Sequence, residues 1–195
     1  MCSGTSSHRR KSINARRGST ATRFTWSAAK RTLHELLAEG RLRPHKSSIR
    51  EVADLLRVVD RDLADAGIPR LSADRRFATA YNAALQLATM ALHGAGYRTA
   101  STAHHWVTFH ALPEIMGPQT QARCDYLDSC RAKRHVTDYD RAGEISDQEA
   151  GEILAEARAF RTALLAWLKK RHPTLVPRGS SHDDARQDRS PQRQR

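Results

Sequence analysis

The chain has 195 residues, 39% of them hydrophobic, and a formal charge of +12. That length supports one domain with a sizeable core, and no apolar run is long enough to span a bilayer. Residues 1–24 hold +6 without a single acid and residues 169–195 hold +5, which leaves +1 for 25–168 and argues against a preformed basic groove on the body.

Residues 1–25 are polar, basic and aperiodic. They read as a disordered tail whose Arg9, Arg10, Lys11, Arg16 and Arg17 can touch phosphates without sequence preference. Ser27 can cap a first short helix, Ala28 to Glu39, closed by Gly40. Arg41 to Lys46 contains Pro44 and reads as a loop. Ser48 with Glu51 forms a capping box. The helix behind it carries Ile49, Val52, Leu55, Leu56, Val59 and Leu63 at helical spacing and ends at Gly67 and Pro69. Residues 26–70 therefore form an N-terminal helical extension that packs on the rest or lengthens it.

Ser72 opens the next helix, with Asp74 in its first turn. Phe77, Ala80, Tyr81, Ala84, Leu85, Leu87, Ala88, Ala91 and Leu92 make it apolar over a wide arc, so it should be central and touched from several sides. Gly94 and Gly96 stop it. Ser101 or Thr102 starts another helix through His104, His105, Trp106, Phe109, His110 and Leu112, ending near Gly117-Pro118. His105 and His110 are five apart, whereas two metal ligands on one helical face need three or four, so no metal is expected. A fourth helix holds Asp125 to Asp140. Gly143 makes a turn, Ser146 with Glu149 is a second capping box, and a last helix runs through Ile153, Leu154, Ala157, Phe160, Leu164, Trp167 and Leu168 toward Pro173. The expected fold is an all-α, up-and-down bundle, with four core helices over 71–172, one or two N-terminal helices and disordered basic tails, the second at 173–195.

Three cysteines, Cys2, Cys124 and Cys130, make an odd set without metal-clamp spacing, and free thiols in a reducing cytoplasm fit them best. The N-terminus lacks the apolar stretch of a signal peptide. A cytoplasmic protein without a membrane partner or cofactor is the expectation.

The stretch DYLDSCRAKRHVTDYD, Asp125 to Asp140, carries the candidate chemistry. Arg131 and His135 are four apart and share a helical face, and Tyr139 continues that line one turn later. Arg134 instead falls on the apolar stripe of Leu127 and Cys130. A long cation there must snorkel, pair with an acid or line a cleft. The plain alternative is a solvated surface helix with Asp128–Arg131 and Arg134–Asp138 pairs.

Arg134-His135-Val136-Thr137-Asp138-Tyr139 resembles the signature helix of the HEPN family (higher eukaryotes and prokaryotes nucleotide-binding), whose motif is an arginine, a polar residue, a short spacer and a histidine. Arg134 matches the arginine, His135 fills the polar slot and Tyr139 stands where the histidine is expected. The resemblance covers about Ser72 to His172. It implies a helical bundle, an arginine that holds a phosphate and a histidine that transfers a proton, usually across a homodimer cleft. A tyrosine, with a pKa of about 10, is a poor base at neutral pH. The resemblance therefore implies a non-catalytic, HEPN-like nucleic-acid-binding or regulatory module of a bacterial toxin–antitoxin or defence system. RNA or DNA would be held by Arg131, Lys133, Arg134 and the tail residues, and a cognate antitoxin-like protein would be a further partner. The first alternative is a metal-independent endoribonuclease whose catalytic residues are Arg134 and His135, with Tyr139 in the remaining slot. The second is a helical protein-interaction module with no nucleic-acid role.

Overall fold

The structure, a computed structural model, describes residues 32–100, 104–139 and 143–177, the side chains of 135–139 excepted. It is an all-α bundle carrying one small two-stranded ribbon. In chain order it runs α1 (Leu33–Ala38), β1 (Leu42–Pro44), α2 (Ile49–Ala66), α3 (Ala73–Gly94), β2 (Tyr97–Thr99), α4 (His104–His110), α5 (Leu112–Met116), α6 (Gln121–Tyr139) and α7 (Asp147–Arg171).

The long apolar helix is central, as its wide hydrophobic arc predicts. α3 packs against α2, α4, α5, α6 and α7. Its alanines are the reason. Ala80, Ala84 and Ala88 are fully buried, and their small side chains let neighbouring backbones approach from several sides. Val52, Leu56, Val59 and Leu63 of α2 and Ile153, Ala157, Phe160, Leu164 and Leu168 of α7 close one main core around it. Each such large side chain, fully buried, contributes about 1.5–3 kcal/mol. α2 thus shares its core with the helices that follow it. Ile49, placed on the buried stripe by its spacing, is 45% exposed because it is the first residue of α2.

A second, smaller core lies under the ribbon. It gathers Leu36 of α1, Leu42 of β1, Leu92 of α3, and Val107 and Ala111 at α4 and its end. The ribbon itself corrects the expectation of a loop at Arg41–Lys46 and of a fold without strands. β1 and β2 pair antiparallel in the register Leu42↔Thr99, Arg43↔Arg98 and Pro44↔Tyr97. Three residues per strand are too few to leave a period in the sequence. Gly96, at φ +90°, makes the turn out of α3 that brings β2 alongside.

Other boundaries shift for local reasons. α1 begins at Leu33, because Thr32 is its N-cap and forms a complete capping box with Glu35; Ser27 and Ala28, the expected start, lie outside the described residues. The helix expected to run through Leu112 breaks into α4 and α5 at Ala111. Pro113 sits at the first turn of α5, where its missing amide costs least. Gly117, at φ +110°, then turns the chain into a 3-10 turn and α6. The C-terminal boundary also moves. Pro173–Leu175 form a 3-10 turn, and Leu175 and Val176 pack against the main core.

Candidate functional site

Asp128, Arg131 and Arg134 of α6 lie toward α3 and α4, and the reason is the helix's own stripe. Leu127 and Cys130 are buried, at 0% and 3% exposure, and Arg134 follows Cys130 at the next turn. Its guanidinium carbon lies 5.2 Å from the centre of the Tyr81 ring. Its spacing calls for it to snorkel, pair with an acid or line a cleft; the structure instead sets it over an aromatic ring on α3. Arg134 is half-buried there.

Tyr81 is fully buried, with its ring edge-on to Phe109 at 5.8 Å. Its hydroxyl shares a 3.0 Å hydrogen bond with Nδ1 of His105 on α4. Burial pushes the phenol above its usual range, helped by Asp128 and Cys130 and opposed by Arg134 and Arg131. The phenol therefore stays protonated at neutral pH. Arg134 and His105 thus meet on the same tyrosine from two different helices.

The adjoining turn of α6 continues the cluster. Arg131 donates from Nε to Asp128 Oδ1 at 2.7 Å, the pair anticipated from spacing. The other oxygen of Asp128 is 3.9 Å from His110 Nε2. His110 stacks on Trp106 with centroids 4.3 Å apart. Burial lowers the His110 pKa, and Arg131 acts with it, while Asp128 and Asp125 act against. Trp106 is also approached by the Arg41 guanidinium, at 5.7 Å. Trp106, His110, Arg131 and Arg134 are all half-buried, so planar cations and a stacked Trp106–His110 pair lie at this surface.

The other expected site residues fall elsewhere. Lys133 points to α7, where its ammonium pairs with Glu149. That carboxylate also completes the Ser146 capping box, and Lys133 together with Ser146 holds its pKa down to about 2. The α6 backbone stays helical through Tyr139, which preserves the Arg131–His135–Tyr139 spacing. The side chains of His135 and Tyr139, and all of Arg9, Arg10, Lys11, Arg16 and Arg17, lie outside the described residues. So does the side chain of Asp138, the expected partner of Arg134. Cys124 and Cys130 are both free and buried. Burial pushes Cys124 up to about 12, which makes it inert as a nucleophile.

Two features escaped the sequence reading. Tyr81 was visible only as one apolar residue of a core stripe, and no local pattern links it to His105 or Arg134, far along the chain. The second is a convergence of His45, Glu51 and His93, whose donor atoms lie within 4.8 Å of one another. The expected absence of a metal rested on His105 and His110, which meet Tyr81 and Trp106–Asp128 instead. Among the described residues no helix is long and apolar enough to cross a membrane. Comparison with protein-family models, with curated proteins and with solved structures finds no match.

Proposed function

We propose that this protein is a HEPN-like nucleic-acid-binding or regulatory module, and that the face built by α3, α4 and α6 around Arg134 receives the phosphate backbone. The observation that carries this reading is the seating of Arg134 on the Tyr81 ring. The packing orients a planar cation, and a planar fork of donors suits phosphate. Arg131, one turn earlier, adds positive charge that Asp128 partly offsets. The stacked Trp106–His110 pair adds aromatic surface against which a base of a single strand could pack. With the body at only +1, the basic tails supply most of the long-range attraction, and the site supplies position.

A single arginine site is small for a nucleic acid. An isologous dimer that brings two copies of Arg134 into one cleft, with a cognate antitoxin-like protein as regulator, belongs to the same proposal. So does a cytoplasmic location, which suits the two buried free thiols.

The Tyr81–His105 bond favours one second reading, a metal-independent endoribonuclease in which His105 does the proton transfer first considered for His135. With Nδ1–H donating to the phenol oxygen, Nε2 would carry the free lone pair that a general base requires.

One experiment separates these readings. Binding of a fluorescent single-stranded RNA is followed by anisotropy at two salt concentrations, with a parallel incubation in EDTA. Arg134→Ala should weaken binding about tenfold, the scale of one well-placed arginine, and lower the salt slope by about 0.7, the value for one single-strand phosphate. Intact RNA supports the binding module. Chelator-resistant cleavage that His105→Ala abolishes supports the ribonuclease. Unchanged affinity in Arg134→Ala removes this face as the binding site.

A further inference from the structure

Three potential metal ligands converge away from the Arg134 face. His45 follows β1, Glu51 lies in the first turn of α2, and His93 lies in the last turn of α3. His45 Nε2 is 3.0 and 2.9 Å from the two Glu51 oxygens. His93 Nδ1 is 3.0 Å from Glu51 Oε1. The two imidazole rings are 4.4 Å apart at 45°.

Two observations set this cluster apart from an ordinary ion pair. The first is the position of Glu51. It is the third residue of α2, where the sequence predicts a capping box with Ser48. The Glu51 amide does bond Ser48 Oγ at 3.2 Å, but both carboxylate oxygens turn to the histidines. Glu35 in α1 and Glu149 in α7, in the same position, return to their own caps and complete the box. A local rule obeyed twice and broken once marks a place where another requirement overrides it. The second is His93 Nδ1. It is fully shielded from solvent and, despite its short distance to Glu51, is too poorly aligned to form a hydrogen bond. Leaving a buried nitrogen unsatisfied is costly, and such an atom calls for an explanation.

The geometry suits a small ion. Tetrahedral zinc at about 2.0–2.1 Å from nitrogen or oxygen separates its ligand atoms by roughly 3.4 Å. Each histidine nitrogen needs to open from the Glu51 oxygens by only a few tenths of an ångström to reach that spacing, and the whole donor set already lies within 4.8 Å, so the two histidine nitrogens need only to close toward it. The backbone of His93 is held in place, since Ser47 Oγ donates to the His93 carbonyl at 2.7 Å. The side chains of His45, Glu51 and His93 are 20%, 30% and 15% exposed, so solvent reaches the fourth position. The Arg98 guanidinium is the nearby charge that acts against a cation.

We infer that His45, Glu51 and His93 form a three-ligand site for a divalent transition-metal ion of the zinc class, with its fourth position open to solvent. Two imidazoles and one carboxylate are borderline donors that favour zinc, cobalt or nickel over magnesium or calcium. Bound there, the ion joins the β-ribbon to the ends of α2 and α3, and so ties the smaller core to the larger one. This site is independent of the Arg134 face.

The test uses the full chain, stripped with a chelator and titrated with Zn²⁺ alone by calorimetry, with Co²⁺ as a spectroscopic probe. One equivalent should bind, thermal unfolding should move up, and Co²⁺ should show the intense visible bands of a low-coordinate site. Glu51→Gln keeps the backbone cap and side-chain size, and His93→Gln changes a second ligand; circular dichroism confirms that each folds. Each should weaken zinc at least about 100-fold, more than is typical for loss of a residue behind a ligand. His110→Gln, outside the cluster, should leave binding intact. Absence of stoichiometric zinc binding by the unmutated chain overturns the inference. So does binding that survives both ligand substitutions, which would assign the ion to other histidines.

Discussion

Tyr81 has two functions that phenylalanine would only half reproduce. Its ring supports Arg134, and its hydroxyl holds His105. Tyr81→Phe keeps the ring and removes the hydrogen bond. It should cost about 1–2 kcal/mol in urea unfolding while leaving RNA affinity within about twofold, because the platform for the arginine remains. A fully stable Tyr81→Phe would show that the hydroxyl bond contributes nothing. Burial is also the first cause of the lowered pKa of His110 and of His93, against the pull of Asp128 and Asp125 on one and of Glu51 on the other. The unfolded chain therefore takes up these protons more readily than the folded one, at about pH 6.5. Their stability contribution is complete above that pH and is lost as pH falls through it toward the lower folded values. Urea midpoints measured from about pH 8 to 5 should fall in the acidic half, and His110→Gln, which cannot titrate, should reduce the slope. An equal slope in both proteins would place the titration on other groups.

At the scale of elements, the caps decide where helices begin and what they can hold together. Asp74 reads in the sequence as a charge that favours a helix N-terminus. In the structure its carboxylate also reaches across to the approach of α7, accepting from the amides of Gly143 at 2.6 Å and Ile145 at 3.1 Å. Gly143, at φ +91°, makes that approach possible. Asp74→Ala should destabilise the bundle by about 1–3 kcal/mol, since it removes two bonds to a charged acceptor. Hydrogen exchange should then quicken at Gly143 and Ile145 before it does in α7. Protection unchanged at those amides would mean the loop is held by other means. Further ties of this kind cross long stretches of chain. The Leu33 amide donates to Glu114 at 2.9 Å and fastens α1 to α5, and Arg161 reaches Asp60 at 2.6 Å to join α7 to α2.

For the whole molecule, the separation of charge from core makes the clearest prediction. Both apolar cores lie within 32–177, while +6 of the net +12 precedes residue 25. A chain lacking 1–24 and 178–195 should keep its helical circular dichroism and unfolding midpoint. Its nucleic-acid affinity should fall, and its salt dependence should flatten by about 0.7 for each single-strand phosphate the shortened chain leaves unneutralised. The second cut falls after Val176 because that residue packs on the core. A salt slope that survives truncation would place the binding charge on the helical body, and a lower midpoint would give the tails a structural role.

Periodicity and punctuation were enough to determine the helical class of this protein, the central place of the Ser72–Gly94 helix, the capping box of Ser146 and Glu149, and the anomalous position of Arg134. All of these are local, because helical spacing and caps act over three or four residues. The ribbon, the Tyr81–His105–Arg134 meeting and the His45–Glu51–His93 cluster were not legible, since each joins residues that only chain reversal brings together. Glu51 shows the difference most clearly. Its sequence position gives it the form of a capping-box residue, and Ser48 does take its amide. The tertiary structure turns its carboxylate elsewhere, because His45 and His93 arrive within 3.0 Å of it from two other elements and a charged acceptor bonds the His45 nitrogen that folding delivers.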